Sequence, residues 1–387
     1  MEPIFQIYEN KLCKSGLTDA GAPLLGFRDA RLVWNMDHGA CAELEKVFEH
    51  LNINALLFSR PAEPYWHIIN YLANTSGNVI FPEDCETRTF LHDLPISRQF
   101  TSEAIVSILK KRKSVIIPEI GIVTQGTVSL EQAFVTFSSI CFACFVKFFH
   151  DTLSRLKKGK SDRRRQQVFD RVVKALDPPI CFDGLLMKGP FSSETEVVAA
   201  IQEAGKLTVD HRLVDSYFGN ISLRYEDTLF ISQTGSSLGN LKGCIDPCPM
   251  DGSSCVAITA SSELPAHLHI VKNTEYNAIL HGHPKFSVIL SMDCDIENCE
   301  CSGKCHINCP HERSVCNIPV VSGEVGSGPH GLFKTVPGAI ENNPGVIVYG
   351  HGLFTAGVED FNRPFRDLLE IENRCREEYF NRIDRLR

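Results

Sequence analysis

The stretch "YNAILHGHPKFSVILS", residues 276–291, places two histidines one residue apart at the end of an apolar run. Its first half reads as a β-strand, and on a strand residues i and i+2 project to one face. His281 and His283 therefore aim two imidazoles at one point, while Gly282 puts no side chain on the opposite face. A third histidine, His351, stands between two glycines in "PGVIVYGHGLFTAG" (344–357), at the end of another strand-like run. Three neutral imidazoles with an open fourth position make a catalytic metal site, whereas a structural zinc site is closed by four protein ligands. Spacing alone leaves a second reading open, in which these are ordinary surface or core histidines.

Helical and strand-like patterns alternate around these runs, which places the chain in the α/β class. "SSETEVVAAIQEAGKLTV" (192–209) carries Ser193 and Glu196 at capping-box spacing, then apolar residues at helical spacing. "GNISLRYEDTLFISQTG" (219–235) reads as two strands with a turn at Glu226–Asp227. "SSELPAHLHIVKNT" (261–274) reads as a short helix, and the segment beyond residue 357 as a long amphipathic one. A basic stretch followed by a helical pattern, 154–179, ends at Pro178–Pro179. It sets a domain boundary near 185, with an α/β domain over 1–185 and the histidines in 186–387. "VIIPEIGIVTQGTVSLEQAF" (115–134) also lies on "VIVYGHGLFTAGVEDFNRPF" (346–365) without a gap. Gly121 meets Gly352, Thr124 meets Thr355, Gly126 meets Gly357, and Ile120 stands where the second copy has His351. The N-terminal half is thus expected to be a degenerate copy without a metal site, unless the match is two similar strand–turn–helix units arising by chance.

The length of 387 residues and the 43% hydrophobic content suffice for about two buried cores. A formal net charge of −8 gives no reason to expect nucleic acid or an anionic membrane as partner. The start "MEPIFQIYENKLCKSGL" lacks a basic end followed by a long apolar core. The most apolar window, "SLEQAFVTFSSICFACFVKFF" (129–149), contains Glu131, Gln132 and Lys147 and reads as a buried helix rather than a membrane span. Sixteen cysteines in such a chain favour metal or redox roles over a disulfide framework, and cytoplasm is the expected compartment.

Five motifs, "GNIS" (219–222), "QTGSSL" (233–238), "SSELPAH" (261–267), "HGHP" (281–284) and "GHGLFTAG" (350–357), stand in the order and at roughly the spacing of the class II aldolase/adducin family. The resemblance covers about residues 190–385. It implies a three-layer α/β/α domain and a fuculose-phosphate aldolase-like or ribulose-phosphate 4-epimerase-like activity. By this resemblance His281, His283 and His351 hold Zn²⁺ or another divalent metal, and Glu263 is the metal's neighbour and the proton-transfer group. Asn220, Ser222, Thr234, Gly235, Ser261 and Ser262 match the family's phosphate-binding positions. The physics agrees, since a glycine turn and a helix N-terminus both offer N–H groups to an anion. The implied function is a metal-dependent lyase acting on a phosphorylated ketose, with epimerase or dehydratase chemistry, or an adducin-like non-catalytic scaffold, as alternatives. Family members are often tetramers, so a homo-oligomer is expected.

The chain departs from the family after the HxH strand. No tyrosine lies between His283 and Tyr349, where family aldolases place a proton donor; Tyr379 is a substitute to consider. That loop instead carries a cysteine-rich insertion, 294–316, with Cys294, Cys299, Cys301, Cys305, Cys309 and Cys316. Thiolates at such short spacing suit a structural Zn²⁺ or an iron–sulfur cluster, and a disulfide-stapled or merely cysteine-rich loop is the remaining reading. Cys244, Cys248 and Cys255 form a looser group that can share the same site.

Overall fold

The computed structural model describes residues 2–160, 162–215, 217–296 and 299–387. The chain divides into two compact units between Pro178 and Pro179, a few residues before the boundary expected near 185.

The first unit begins with helix α1 (Glu2–Lys14) and builds a sheet from β1 (Leu24–Arg28), β2 (Leu32–Trp34), β3 (Ala55–Ser59), β4 (Ser114–Ile117) and β5 (Gly121–Gly126). The strand order is β2-β1-β3-β5-β4, with every pair antiparallel. Leu24, Leu56, Phe58, Val115 and Val123 project from one face onto Leu44, Val47 and Phe48 of helix α2 (Cys41–His50). Helix α3 (Leu130–Lys157) is long and apolar enough to cross a membrane, but 83% of its most apolar window is buried inside the unit. Two charged residues inside it have partners there: Glu131 receives Lys11 at 3.2 Å and Lys147 reaches Glu83 at 2.6 Å.

The second unit holds an eight-stranded sheet. Its strands are β6 (Asn220–Tyr225), β7 (Thr228–Ser232), β8 (Ile245–Pro249), β9 (Ala278–Gly282), β10 (Arg313–Val315), β11 (Ile318–Val321), β12 (Val346–Val348) and β13 (Gly352–Gly357). They run in the order β8-β7-β6-β9-β13-β12-β11-β10, antiparallel except for β11 with β12. Its helices are α4 (Glu194–Asp210), α5 (Leu264–Asn273), α6 (Lys285–Met292), α7 (Leu332–Ile340) and α8 (Asn362–Leu386). Ile270 of α5 and Val336 of α7 pack with Ile279, Val346 and Phe354 on one face of the sheet. Helix α8 covers the other face, where a Cβ on Gly282 would lie 3.2 Å from Leu368. The unit is therefore a three-layer α/β/α sandwich.

Local signals act as their chemistry requires. The 219–235 stretch forms the hairpin β6–β7, turning at Glu226 with φ +51°. Ser193 caps α4 by accepting the Glu196 N–H at 3.3 Å, but the Glu196 carboxylate reaches the N–H of Ser192 at 2.7 Å, so the return arm of the capping box shifts by one residue.

Segments 115–134 and 346–365 adopt the same local structure, a hairpin leading into a helix. In each, a buried threonine hydroxyl ties strand to helix: Thr124 donates to Ala133 O at 2.9 Å and Thr355 to Pro364 O at 2.8 Å. In each, the closing glycine meets a backbone carbonyl that a Cβ would strike, Ser129 O for Gly126 at 2.0 Å and Asp360 O for Gly357 at 2.7 Å. The order β2-β1-β3-β5-β4 recurs as β7-β6-β9-β13-β12. Register places Phe58 where β9 has His281, and Leu24 where β6 has Asn220.

Candidate metal centre

His281 lies near the end of β9, its ring flat on Phe354 of β13 with centroids 3.9 Å apart. Its Nδ1 is 3.2 Å from Leu353 O. A carbonyl only accepts, so Nδ1 carries the proton and Nε2 presents its lone pair. His283 follows the strand end, where its backbone N–H donates to Leu213 O at 3.0 Å and its ring stacks on Phe218. His351 sits in the turn from β12 to β13, which Gly350 makes with φ +59°. Ser291 of α6 holds that turn through its hydroxyl, which accepts the Gly350 N–H at 2.8 Å. Gly352 must be glycine: a Cβ there would stand 2.5 Å from Gly282 O and 2.6 Å from the His281 ring.

The three Nε2 atoms meet. Those of His283 and His351 lie 3.0 and 3.2 Å from that of His281. Three nitrogens about 2.05 Å from one tetrahedral ion stand about 3.3 Å apart, so the spacing fits a divalent metal. Among the described residues, this is the group whose histidine, cysteine or carboxylate donor atoms all lie within 4.8 Å of one another. The His283 Nδ1 is buried and has no hydrogen-bond partner among the described residues.

Glu263 occupies the N-cap position of α5 but does not cap it. Its carboxylate turns to the tripod instead, Oε1 2.9 Å from His351 Nε2 and Oε2 3.4 Å from His281 Nε2. Asn220 Nδ2 donates to Oε2 at 2.7 Å. None of the four is more than 4% exposed. Burial keeps the imidazoles neutral, lowering His281 to about 4 and His283 well below the usual range. Burial opposes the charge on Glu263, yet His281, His351 and the Asn220 amide outweigh it and hold the carboxyl far below the ordinary carboxylate range. The site thus presents the neutral nitrogen lone pairs and the ionised carboxylate that a divalent ion requires.

The expected phosphate positions divide into two groups. Thr234, Gly235 and Ser262 are exposed at the rim, where the Thr234 hydroxyl accepts the Ser262 N–H at 3.1 Å and Gly235 has φ +69°. Ser261 is buried beside them, its hydroxyl accepting the Glu263 N–H at 3.3 Å. Asn220 and Ser222 lie beneath the rim on β6, and Ser222 is fully buried with its hydroxyl 2.7 Å from His267 Nδ1.

Among the described residues, no disulfide joins the sixteen cysteines. Residues 297 and 298 of the insertion lie outside the described residues. Among the described thiols of Cys294, Cys299, Cys301, Cys305, Cys309 and Cys316, no three lie within 4.8 Å of one another as the histidine nitrogens do, but burial and the neighbouring Cys299 and Cys309 thiols push those of Cys301 and Cys305 up. Backbone bonds also shape the loop, from Ser302 to Cys299 O and from Lys304 to Cys301 O, and the Cys305 thiol donates to Cys301 O at 3.2 Å. Cys248 is a core residue packed with Ile231 and Ala260. Tyr379 is fully buried among Phe286 and Phe380, so it belongs to the α6–α8 packing rather than to the tripod.

Sequence reasoning missed three supporting residues. His267 stands four residues after Glu263 on α5, a spacing that signals one helix face. Glu372 of α8 accepts the N–H groups of Phe286 and Ser287 at 2.8 and 2.9 Å and so caps α6 directly after the HxH strand. Neither Glu372 nor Ser291 leaves a local signal, because each acts across more than fifty residues.

Residues 199–379 match the family model of the Class II Aldolase and Adducin N-terminal domain, and this stretch of the chain is a class II aldolase-type domain. Among solved structures, L-fuculose-1-phosphate aldolase from Thermus thermophilus is 18% identical over 50% of this chain and 97% of its own, with a TM-score of 0.40. A sugar-phosphate aldolase from Thermotoga maritima is 20% identical over 49% and 96%, with a TM-score of 0.35. The N-terminal class II aldolase domain of a conserved Thermoplasma acidophilum protein is 15% identical over 51% and 99%, with a TM-score of 0.35. No curated protein matches the chain. The domain assignment rests on the family model.

Proposed function

We propose that this class II aldolase-type domain is a divalent-metal-dependent lyase that breaks or forms a carbon–carbon bond in a phosphorylated ketose. The observation that carries the reading is the meeting of three neutral Nε2 atoms, 3.0 and 3.2 Å from His281, with the ionised Glu263 carboxylate 2.9 Å from one of them. His281, His283 and His351 would hold Zn²⁺ or another divalent ion, which supplies Lewis-acid stabilisation of negative charge developing on substrate oxygens. Glu263, stripped of water and anchored at one oxygen by Asn220, takes a proton from the substrate and returns it. The exposed rim of Thr234, Gly235 and Ser262 offers hydroxyl and N–H donors beside the start of α5, which suits a phosphate.

One observation favours a second reading, epimerase or dehydratase chemistry. The tyrosine that family aldolases use as proton donor has no counterpart between His283 and Tyr349, and Tyr379 is packed in the core. The first unit is read as a copy without a metal site. It has Phe58 and Leu24 at the register positions of His281 and Asn220, Ala40 at the helix N-cap position of Glu263, and Ile120 before the glycine that follows His351 in the second unit.

Incubating the metal-loaded protein with ketose phosphates tests the reading. Release of a triose phosphate or a hydroxyaldehyde is expected, with Glu263→Gln keeping the metal and losing turnover. Isomer interconversion without cleavage would establish the second reading, and tight binding without any turnover would refute both.

A further inference from the structure

A buried chain of hydrogen bonds runs away from Glu263 into the sheet. Asn220 Nδ2 is 2.7 Å from Glu263 Oε2, Asn220 Oδ1 is 2.6 Å from His267 Nε2, and His267 Nδ1 is 2.7 Å from the Ser222 hydroxyl. His267 and Ser222 have no exposed surface, and Asn220 is 6% exposed. No water competes for these groups, so each link has a fixed donor and acceptor.

The directions follow from chemistry. An ionised carboxylate only accepts, so the NH₂ end of Asn220 must face Glu263. The carbonyl end then faces His267, and a carbonyl also only accepts, so His267 Nε2 carries hydrogen. Burial keeps the ring neutral, lowering it to about 3, which leaves Nδ1 as an acceptor for the Ser222 hydroxyl. Reversing any link would set two acceptors against each other. If His267 carried its proton on Nδ1, its Nε2 lone pair would draw the Asn220 NH₂ end, and the amide carbonyl would turn toward the Glu263 charge.

We infer that Ser222 and His267 are positioning residues that fix the direction of the Asn220 amide, tie down Glu263 Oε2, and leave Oε1 as the oxygen that exchanges protons at the tripod. The inference rests on the reading of Glu263 as the proton-transfer group. It assigns Ser222 a place beneath the site rather than on the phosphate. Ser222 touches neither Glu263 nor the histidine tripod; its hydroxyl donates to the buried Nδ1 lone pair that the Nε2–H tautomer leaves.

Long-range ¹H–¹⁵N spectra of the histidine-labelled, metal-free chain test this directly. A single Nε2–H tautomer is expected for His267, and Ser222→Ala, which leaves the Asn220 carbonyl in place, should keep it while moving the Nδ1 resonance toward that of a free lone pair. An Nδ1–H tautomer in the unaltered chain, or an Nδ1 resonance unmoved in Ser222→Ala, overturns the inference. In the metal-loaded enzyme His267→Leu should lower kcat by about 10–100-fold, the usual effect of losing such a supporting bond, with KM little changed. His267→Gln, which can donate toward Asn220 and accept from Ser222, should regain most of that loss. Equal losses in both variants would mean that the ring only packs. Should His267→Leu fail to fold, the milder Ser222→Ala carries the same spectroscopic and kinetic test. If no substrate is turned over, the lyase reading fails while the tautomer spectra still decide the hydrogen-bond directions.

Discussion

His267 and His281 are fully buried and stay neutral where a free imidazole would charge, down to about 3 and about 4. In the unfolded chain both take up protons near pH 6.5. Between pH 6.5 and about 4 the unfolded state therefore binds more protons than the native one, and acidification favours unfolding. Each such proton is worth about 1.4 kcal/mol per pH unit. Glu263 acts in the same direction, since its depressed pKa lends stability that is lost as pH falls. Denaturant midpoints of the metal-free protein at pH 7, 6 and 5 are expected to fall in that order; equal midpoints would contradict neutral buried imidazoles. His281 and His283 are legible from sequence as an i, i+2 pair on an apolar strand. The proton positions on their rings are not, because Leu353 O fixes one of them from the neighbouring strand.

The elements around the tripod are held by side chains from distant helices. Helix α6 begins directly after His283, and its first N–H groups would be unpaired in a dry interior without Glu372. Glu372→Ala should destabilise the protein by about 2–4 kcal/mol, since two buried donors lose their acceptor. Urea unfolding measures this, and a change under about 0.5 kcal/mol would show that another group takes over the cap. The strands β6, β7, β9 and β13 and helices α5 and α8 follow from alternation and helical spacing. The α4 N-cap follows from Ser193, although its Glu196 arm lands on Ser192, because the two backbone N–H groups compete for one flexible carboxylate. In the insertion the cysteine spacing points to a metal; backbone turns shape the loop, and burial together with the neighbouring Cys299 and Cys309 thiols pushes those of Cys301 and Cys305 up.

At the scale of the molecule, five strands of the second sheet repeat the order of the first, and among the described residues the converging histidines lie in the second. One nitrogen-rich metal site per chain is expected. Titration of the chelated protein with Co²⁺ should reveal a single histidine-ligated site that disappears in His281→Ala; a second such site would contradict the reading of the first unit as metal-free. The sequence by itself determined the α/β class, the family domain and which three histidines to bring together. Those features are written in local periodicity and in short motifs, where strand geometry converts spacing into direction. Only the tertiary structure decided that His351 joins the pair from a turn seventy residues away and that Gly352 makes room for the His281 ring. It also placed Ser222 on His267 instead of at the exposed rim. These outcomes depend on which strands become neighbours and in what register, and burial then leaves each polar group a single partner.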